Sequence, residues 1–215
     1  MSRKITIEKP RLPDELAVAN FQDIFYMEDP YLHSCMIKDY EIANESIDKM
    51  EFSQVIFKNV TFTEIAFKFI DLSNVVFENC DLSNADFMGA NLHRVEFNGC
   101  RMVGINLADA NFNHVVFEDC NLNLSSFSYS SLKQVAFAQC ILRGADFYEC
   151  PFNKVTYHEC ELNEVNFMGT ALKGVDLSNS SFQQLSVSLE NLKGCEVSTE
   201  QAIGFAVLMG LKIKG

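Results

Sequence analysis

An apolar residue recurs at every fifth position from residue 52 to residue 197, and few folds tolerate that spacing. Phe52, Phe57, Phe62, Phe67, Leu72, Phe77, Leu82 and Phe87 open the series, and Leu177, Phe182, Val187, Leu192 and Val197 close it with no insertion between. Fifteen of the nineteen Phe fall at these centres, so the pattern uses up nearly all the large aromatics. A period of five fits neither a helix of 3.6 residues per turn nor a strand of period two. It fits a coil that turns a corner once per pentapeptide, with the centre and a smaller residue two places earlier facing inward. Such a unit buries its apolar face only by stacking on its neighbours, which defines a solenoid.

A longer period fixes the shape of the coil. Cys80, Cys100, Cys120, Cys140 and Cys160 recur every twenty residues, as do Val55, Val75, Val95, Val115, Val135, Val155 and Val175. Twenty residues make four pentapeptides, hence a four-sided coil. Residues twenty apart are expected to lie above one another at the inter-strand spacing of about 4.8 Å. If residues 32–197 all coil, the rod has about eight turns and is roughly 40 Å long.

The last residue of each unit has to turn the corner. Gly89, Gly99, Gly104, Gly144, Gly169, Gly174 and Gly194 stand there, with Asn59, Asn74, Asn79, Asn84 and Asn179. Both residue types tolerate the positive φ of a type II turn. Phe69, Leu124 and Tyr129 occupy the same place and do not suit it, so type I or irregular turns are expected there.

Residues 1–31 lack the repeat and read as an N-terminal cap. Lys4–Lys9 alternates weakly like a strand, Pro13-Asp14-Glu15-Leu16 resembles a helix start, and Phe21, Phe25 and Tyr26 are free to cover the first coil. The frame extends back through Leu32, Ile37, Ile42 and Ile47, with Glu45 the one misplaced inward charge. After residues 32–197, Ser198-Thr199-Glu200-Gln201 reads as a capping box opening a helix that Gly210 ends. Leu211-Lys212-Ile213-Lys214 alternates like a short strand. The helix is apolar nearly all round, and one face on its own coil cannot cover it. Residues 198–215 are therefore expected to join two copies in a twofold homodimer through Ile203, Phe205, Ala206, Leu208, Met209, Leu211 and Ile213.

The formal net charge of −12 argues against direct binding to nucleic acid or to an anionic membrane. No run approaches a membrane span, and residues 1–16 hold no signal-peptide core. All eight Cys take the small inward position, where stacked thiols behave as small hydrophobes and point to a reducing, cytoplasmic setting. No metal, cofactor or catalytic motif is evident, and His93 and His114, on one corner, read as solvated surface groups. Enzyme activity is not expected. What remains is an acidic rod, with eighteen Asp and Glu against nine Lys and Arg in residues 51–197. Glu78, Glu96, Glu118, Asp119 and Glu159 follow from the Val/Phe wall, and Asp86 and Asp146 from another. Carboxylates at regular spacing along an axis resemble the fixed charge of duplex DNA. Asp and Asn just before a centre also have a turn-forming role.

The repeat resembles the pentapeptide-repeat family, which implies an all-β solenoid, a right-handed quadrilateral β-helix, here with a short C-terminal helix. The capped N-terminus, the unbroken repeats and the element beginning Ser198-Thr199-Glu200-Gln201-Ala202-Ile203 resemble the Qnr subgroup, and its Gram-positive chromosomal members in particular. That resemblance implies a homodimer that mimics DNA, binds DNA gyrase and topoisomerase IV, and protects them from quinolones. The frame leaves no room for the two projecting loops that many Qnr proteins of Gram-negative bacteria need for protection. The alternative is a structural or adaptor rod that binds a non-topoisomerase protein through an apolar patch, with Tyr129, Tyr148 and Met168 as outward candidates.

Overall fold

A computed structural model describes residues 6–26, 30–208 and 210–213, with the side chains of Phe25, Tyr26, Val207 and Leu208 left aside. Expectations for Lys4, Ile5, Met209 and Lys214, and for the side chains of Phe25, Tyr26 and Leu208, lie outside the described residues. The chain forms β1 (Ala17–Val18), a 3-10 helix (Phe21–Tyr26), β2 (Tyr31–Ala43), β3 (Glu51–Thr63), β4 (Asp71–Glu78), β5 (Asn91–Asn98), β6 (Asn111–Glu118), β7 (Ser131–Ala138), β8 (Phe152–His158) and α1 (Thr199–Leu208). All eight strands lie in one parallel sheet in chain order. Each coil places its residues on those twenty ahead, as in Val55↔Val75, Val75↔Val95 and Val95↔Val115. The fold is the four-sided β-solenoid that the repeat predicts.

The four walls are not built alike. Taking the coil that starts at Met50, the first wall is residues 50–54, the second 55–59, the third 60–64 and the fourth 65–69, each repeating every twenty. From β4 to β8 the continuous strand spans the first two walls. The other two walls join their neighbours through single bridges, such as Asp81↔Arg101 and Asp86↔Asn106. Between bridges they run as tight turns. Ala85 N–H donates to the Leu82 carbonyl at 3.1 Å, with Asn84 in the left-handed region at φ 58°. Asp81 supports the same turn by accepting from Ser83 N–H at 2.9 Å. Asp86, Asn106, Asp146 and Asn166 act likewise on the residue two ahead. This is the Asx-turn reason for acids and amides just before a centre.

Inside, Phe57, Phe77, Phe97, Phe117 and Phe137 stack nearly parallel, with centroids 4.8–5.0 Å apart. Phe127 and Phe147 of the opposite wall meet them edge-on, at 6.1 Å from Phe117 and 5.7 Å from Phe137. Both arrangements suit the ring quadrupole. The small inward residue does more than fill space. Cys80, Cys100, Cys120, Cys140 and Cys160 direct their thiols at the carbonyl twenty-three residues back, at 3.3–3.4 Å. Ser130 and Thr170 make the same bond with hydroxyls, at 2.7 and 2.6 Å. Sulfur, though weak as a donor, therefore ties coil to coil. The thiols are free, and burial pushes Cys150 up to about 12.

Tyr157 ends the Phe column, stacked on Phe137 at 5.0 Å. Its hydroxyl is buried with no hydrogen-bond partner among the described residues. An orphaned buried hydroxyl costs about 1–3 kcal/mol, so Tyr157→Phe is expected to stabilise the protein by about 1 kcal/mol or more in a urea titration.

Some sequence expectations fail. Phe69, Leu124 and Tyr129 adopt positive φ after all, at 57°, 59° and 62°. Each corner amide must reach the next coil, as Leu124 N–H does to the Arg143 carbonyl at 2.9 Å, and the lattice overrides the side chain's preference. Space in the next coil helps. The Phe69 ring lies 2.5 Å from where a Cβ on Gly89 would sit, and Leu124 lies 3.0 Å from the same point on Gly144. The left-handed region costs an L-residue about 1–2 kcal/mol, and Asn least. Leu124 is 69% exposed and loses little by truncation, so Leu124→Asn should raise the unfolding midpoint in urea.

The helix start at Pro13–Leu16 is also absent. The chain there forms no helix and bends at Asp14, pairs Ala17 with Cys35 in β1, and turns helical only at Phe21. Phe21 does cover the first coil, stacking on Phe67 at 6.2 Å and meeting Phe52 edge-on at 6.3 Å. Glu45 is only half buried, tilted off the core. At the other end the capping box forms, with Ser198 N–H donating to Gln201 Oε1 at 2.8 Å and Gln201 N–H to Ser198 Oγ at 3.2 Å. Gln201 also donates to the carbonyls of Leu177 and Ser180, fixing the helix on the last coil. Gly210 at φ 82° lets Leu211 N–H reach the Ala206 carbonyl, which stops the helix. Leu211–Ile213 form no strand.

Candidate partner-binding surface

The register assigns each charge in residues 51–197 to a wall. The second wall carries Glu78, Glu96, Glu118, Asp119, Glu159, Asp176 and Glu196 against Lys58 alone. The first wall is the reverse, with Arg94, Lys133, Lys154, Lys173 and Lys193 against Glu51, Asp71 and Glu190. The third wall is mixed, with Glu64, Asp81, Glu161 and Glu164 against Arg101 and Arg143, and the fourth is acidic, with Asp86, Asp109, Asp146 and Glu149 against Lys68. The rod is thus electrically sided.

Five of the candidate acids share the second wall. Glu118, Asp119 and Glu159 are exposed, while Glu78 and Glu96 are half buried. Glu78 pairs with Lys58 at 2.8 Å, and Glu159 lies 3.7 Å from His158. Among the described residues no lysine or arginine pairs with Glu96, Glu118 or Asp119. The coil at residues 135–139 adds no carboxylate and leaves one gap in the band. Asp86 and Asp146 stand apart on the fourth wall, opposite. Asp86 accepts from Asn106 at 2.8 Å and pairs with Lys68, and Asp146 accepts from Ser128 and Asn166. Their oxygens are engaged in the coil itself.

The fourth wall also carries apolar groups. Phe69, Tyr129 and Met168 are 41–56% exposed, and Tyr148 meets Tyr129 edge-on at 5.4 Å. At the C-terminus Ile203, Leu211 and Ile213 are exposed. Phe205 is half buried, because it packs on Phe182 of its own coil at 5.7 Å. Phe205 and Ala206 line an apolar groove of about 280 Å³ with Leu189, Leu192, Cys195 and Val197.

The first wall's corner holds what the repeat does not announce. Residues 6–11 run along it as an extended arm, against the coil direction of travel. Gln134 donates to the Thr6 carbonyl at 2.7 Å, and Glu8 N–H donates to His114 Nδ1 at 2.9 Å. Arg11 N–H donates to Asn74 Oδ1 at 3.0 Å, and Gln54 donates to the Arg11 carbonyl at 3.1 Å. The Glu8 carboxylate faces Arg11 at 2.8 Å, Arg94 at 3.5 Å and His114 at 3.9 Å. Desolvation alone would raise its pKa, but Arg11, then His114 and Arg94, hold the carboxyl below the ordinary value. His93 lies beside His114, with ring centroids 6.2 Å apart, and desolvation followed by the Arg94 and His114 charges lowers its pKa. His114 is not the solvated group expected of it: the arm leaves its side chain 12% exposed. Among the described residues no group of three or more His, Cys, Asp or Glu is placed to hold a metal ion, and no helix is long and apolar enough to cross a membrane.

A coil of stacked pentapeptides tied at its corners defines a class, and the comparisons with known proteins agree. The family description "pentapeptide repeat region" matches residues 70–138 and 90–167. The chain is 43% identical over 210 residues to the uncharacterised protein YisX of Bacillus subtilis (strain 168), covering 98% of this chain and 99% of that one. The chain belongs to the pentapeptide-repeat family. Among solved structures it is similar to QnrB1, a plasmid-mediated fluoroquinolone resistance protein, at 20% identity and TM-score 0.45 over 82% of this chain and 99% of that one. It is also similar to HetL of Nostoc sp. strain PCC 7120, involved in heterocyst differentiation regulation, at 15% identity and TM-score 0.29 over 85% and 95% of the two chains. Likeness at these levels says nothing of what this chain binds.

Proposed function

We propose that the protein is a Qnr-type DNA mimic that binds DNA gyrase and topoisomerase IV and shields them from quinolones, without catalysis and without binding nucleic acid itself. One observation carries this reading: seven carboxylates against one lysine on a single wall of the rod. Coils about 4.8 Å apart give that wall roughly one charge per coil. Duplex DNA carries one per about 1.7 Å. The wall therefore offers about a third of the duplex's charge density, enough to engage a basic groove and weak enough to release it. In this account residues 1–31 cap the rod, residues 32–197 present the charge, and residues 198–215 join two copies. Ile203, Phe205, Ala206, Leu208, Met209, Leu211 and Ile213 lie in that joint, and the twofold lengthens the acidic surface. The free buried thiols fit a reducing cytoplasm.

A gyrase supercoiling assay with and without a quinolone tests the reading. At micromolar dimer the protein is expected to slow supercoiling and to restore part of the activity that the drug removes. No effect under either condition contradicts it. The exposed Tyr129, Tyr148 and Met168 favour the second reading, an adaptor rod. On that reading Tyr129→Ser with Tyr148→Ser abolishes partner binding while neutralising the second wall does not.

A further inference from the structure

The arm's contacts are those of a bound peptide: residues 6–11 lie along the side of the rod, and the end is covered by Phe21 further along the N-terminal segment. Gln54, Asn74, Arg94, His114 and Gln134 come from five successive coils and share one corner column, each with φ between 52° and 58°. Four of them hydrogen-bond to main-chain atoms of residues 6–11, and those bonds read no sequence. Arg94 adds the specific element, a guanidinium on the one carboxylate in the segment. Arg94 is itself oriented by Asn74, through an Nε–Oδ1 bond of 2.7 Å. Lys133 and Lys154 continue the positive charge along the same wall. The column is thus a polar groove with backbone-directed donors and acceptors and one basic pocket, on a rod that is acidic elsewhere.

We propose that this corner is a recognition groove for an extended, carboxylate-bearing segment of a partner protein, held shut in cis by residues 6–11. The occupant follows from the chemistry on the page. Main-chain partners spaced coil by coil demand an extended backbone, and Arg94 with His114 demands an acid in register. The arm is the internal example of that ligand. A tethered segment competes at an effective concentration of order millimolar, so an external peptide meets a closed groove unless the arm is loosened.

The experiment uses full-length protein and a fluorescein-labelled peptide of residues 4–13. In Glu8→Lys the arm sets a cation against Arg11, Arg94 and His114 and should let go, with fast hydrogen exchange at the amides of residues 8 and 11. That variant should bind the peptide at least tenfold more tightly than wild type. A peptide with Glu8→Gln should bind at least tenfold more weakly, and Arg94→Ala in the Glu8→Lys background should abolish capture. Circular dichroism is expected to show the β-coil unchanged, because the arm lies outside the core. Amides that stay protected in Glu8→Lys overturn the proposal, as does a freed groove that captures no peptide at millimolar concentration. Equal capture of the Gln peptide overturns it too. Arm exchange between copies without peptide capture would assign the groove to a second copy of this chain instead.

Discussion

Phe117→Ala is expected to destabilise the protein by about 3–5 kcal/mol, the cost of removing a fully buried Phe when its surroundings cannot collapse. Collapse is blocked here from every side. Phe117 is sandwiched by Phe97 at 4.8 Å and Phe137 at 4.9 Å, both within 4° of parallel, and met edge-on by Phe127 at 6.1 Å. Each ring is held by its own coil's backbone ladder, so none can slide into the hole. The consequence goes beyond the local cost. In a solenoid stability is a sum of repeat terms and nearest-neighbour interfaces, and a weakened interface in mid-rod uncouples the two halves. Urea unfolding should lose its single sharp transition. With Tyr26, Tyr31 and Tyr40 replaced by Phe, the remaining Tyr129, Tyr148 and Tyr157 lie on the C-terminal side of the break and report on it by fluorescence, while far-ultraviolet dichroism follows the whole rod. Coincident transitions with a loss under 1 kcal/mol would mean that the column is not a continuous stack.

Neutralising the second wall is expected to have the largest effect on function. Glu96→Gln, Glu118→Gln and Asp119→Asn together remove three of the six second-wall carboxylates that no lysine or arginine pairs with among the described residues. They stand on adjacent coils near the middle of the rod, as the pairings Glu96↔Val116 and Asn98↔Glu118 place them. Affinity for gyrase should fall at least tenfold, since each lost contact to a basic groove weakens steering and binding alike. Asp86→Asn with Asp146→Asn is the matching control. Those carboxylates support turns and amide ladders in the fourth wall, so the double variant should cost stability with little change in affinity. The opposite ranking of the two variants would move the binding surface to the other side of the rod.

The coil was legible because every buried residue touches its copy twenty positions away, so packing writes the same letters again. Cys80 to Cys160 and Phe57 to Tyr157 are the plainest cases. The helix cap was legible too, since Ser198 and Gln201 satisfy each other locally. The corners at Phe69, Leu124 and Tyr129 were not, because their conformation is imposed by hydrogen bonds from the next coil and runs against their own preferences. The arm was hidden for another reason. Gln54, Asn74, Arg94, His114 and Gln134 each look like ordinary surface polar residues. The available signal was collective: from 54 to 134 this corner column reads Gln, Asn, Arg, His and Gln, a run of polar side chains with hydrogen-bonding groups and no glycine. The split of charge between walls was implicit in the register, yet the total of eighteen acids against nine bases conceals a first wall that is net basic.

Binding of purified gyrase to the wild-type protein over a series of salt concentrations, with duplex DNA as competitor, is the most direct test that the rod stands in for DNA. Affinity is expected to fall steadily as salt rises, and DNA and protein should exclude each other from the enzyme. An affinity indifferent to salt, or a ternary complex holding both, would contradict it.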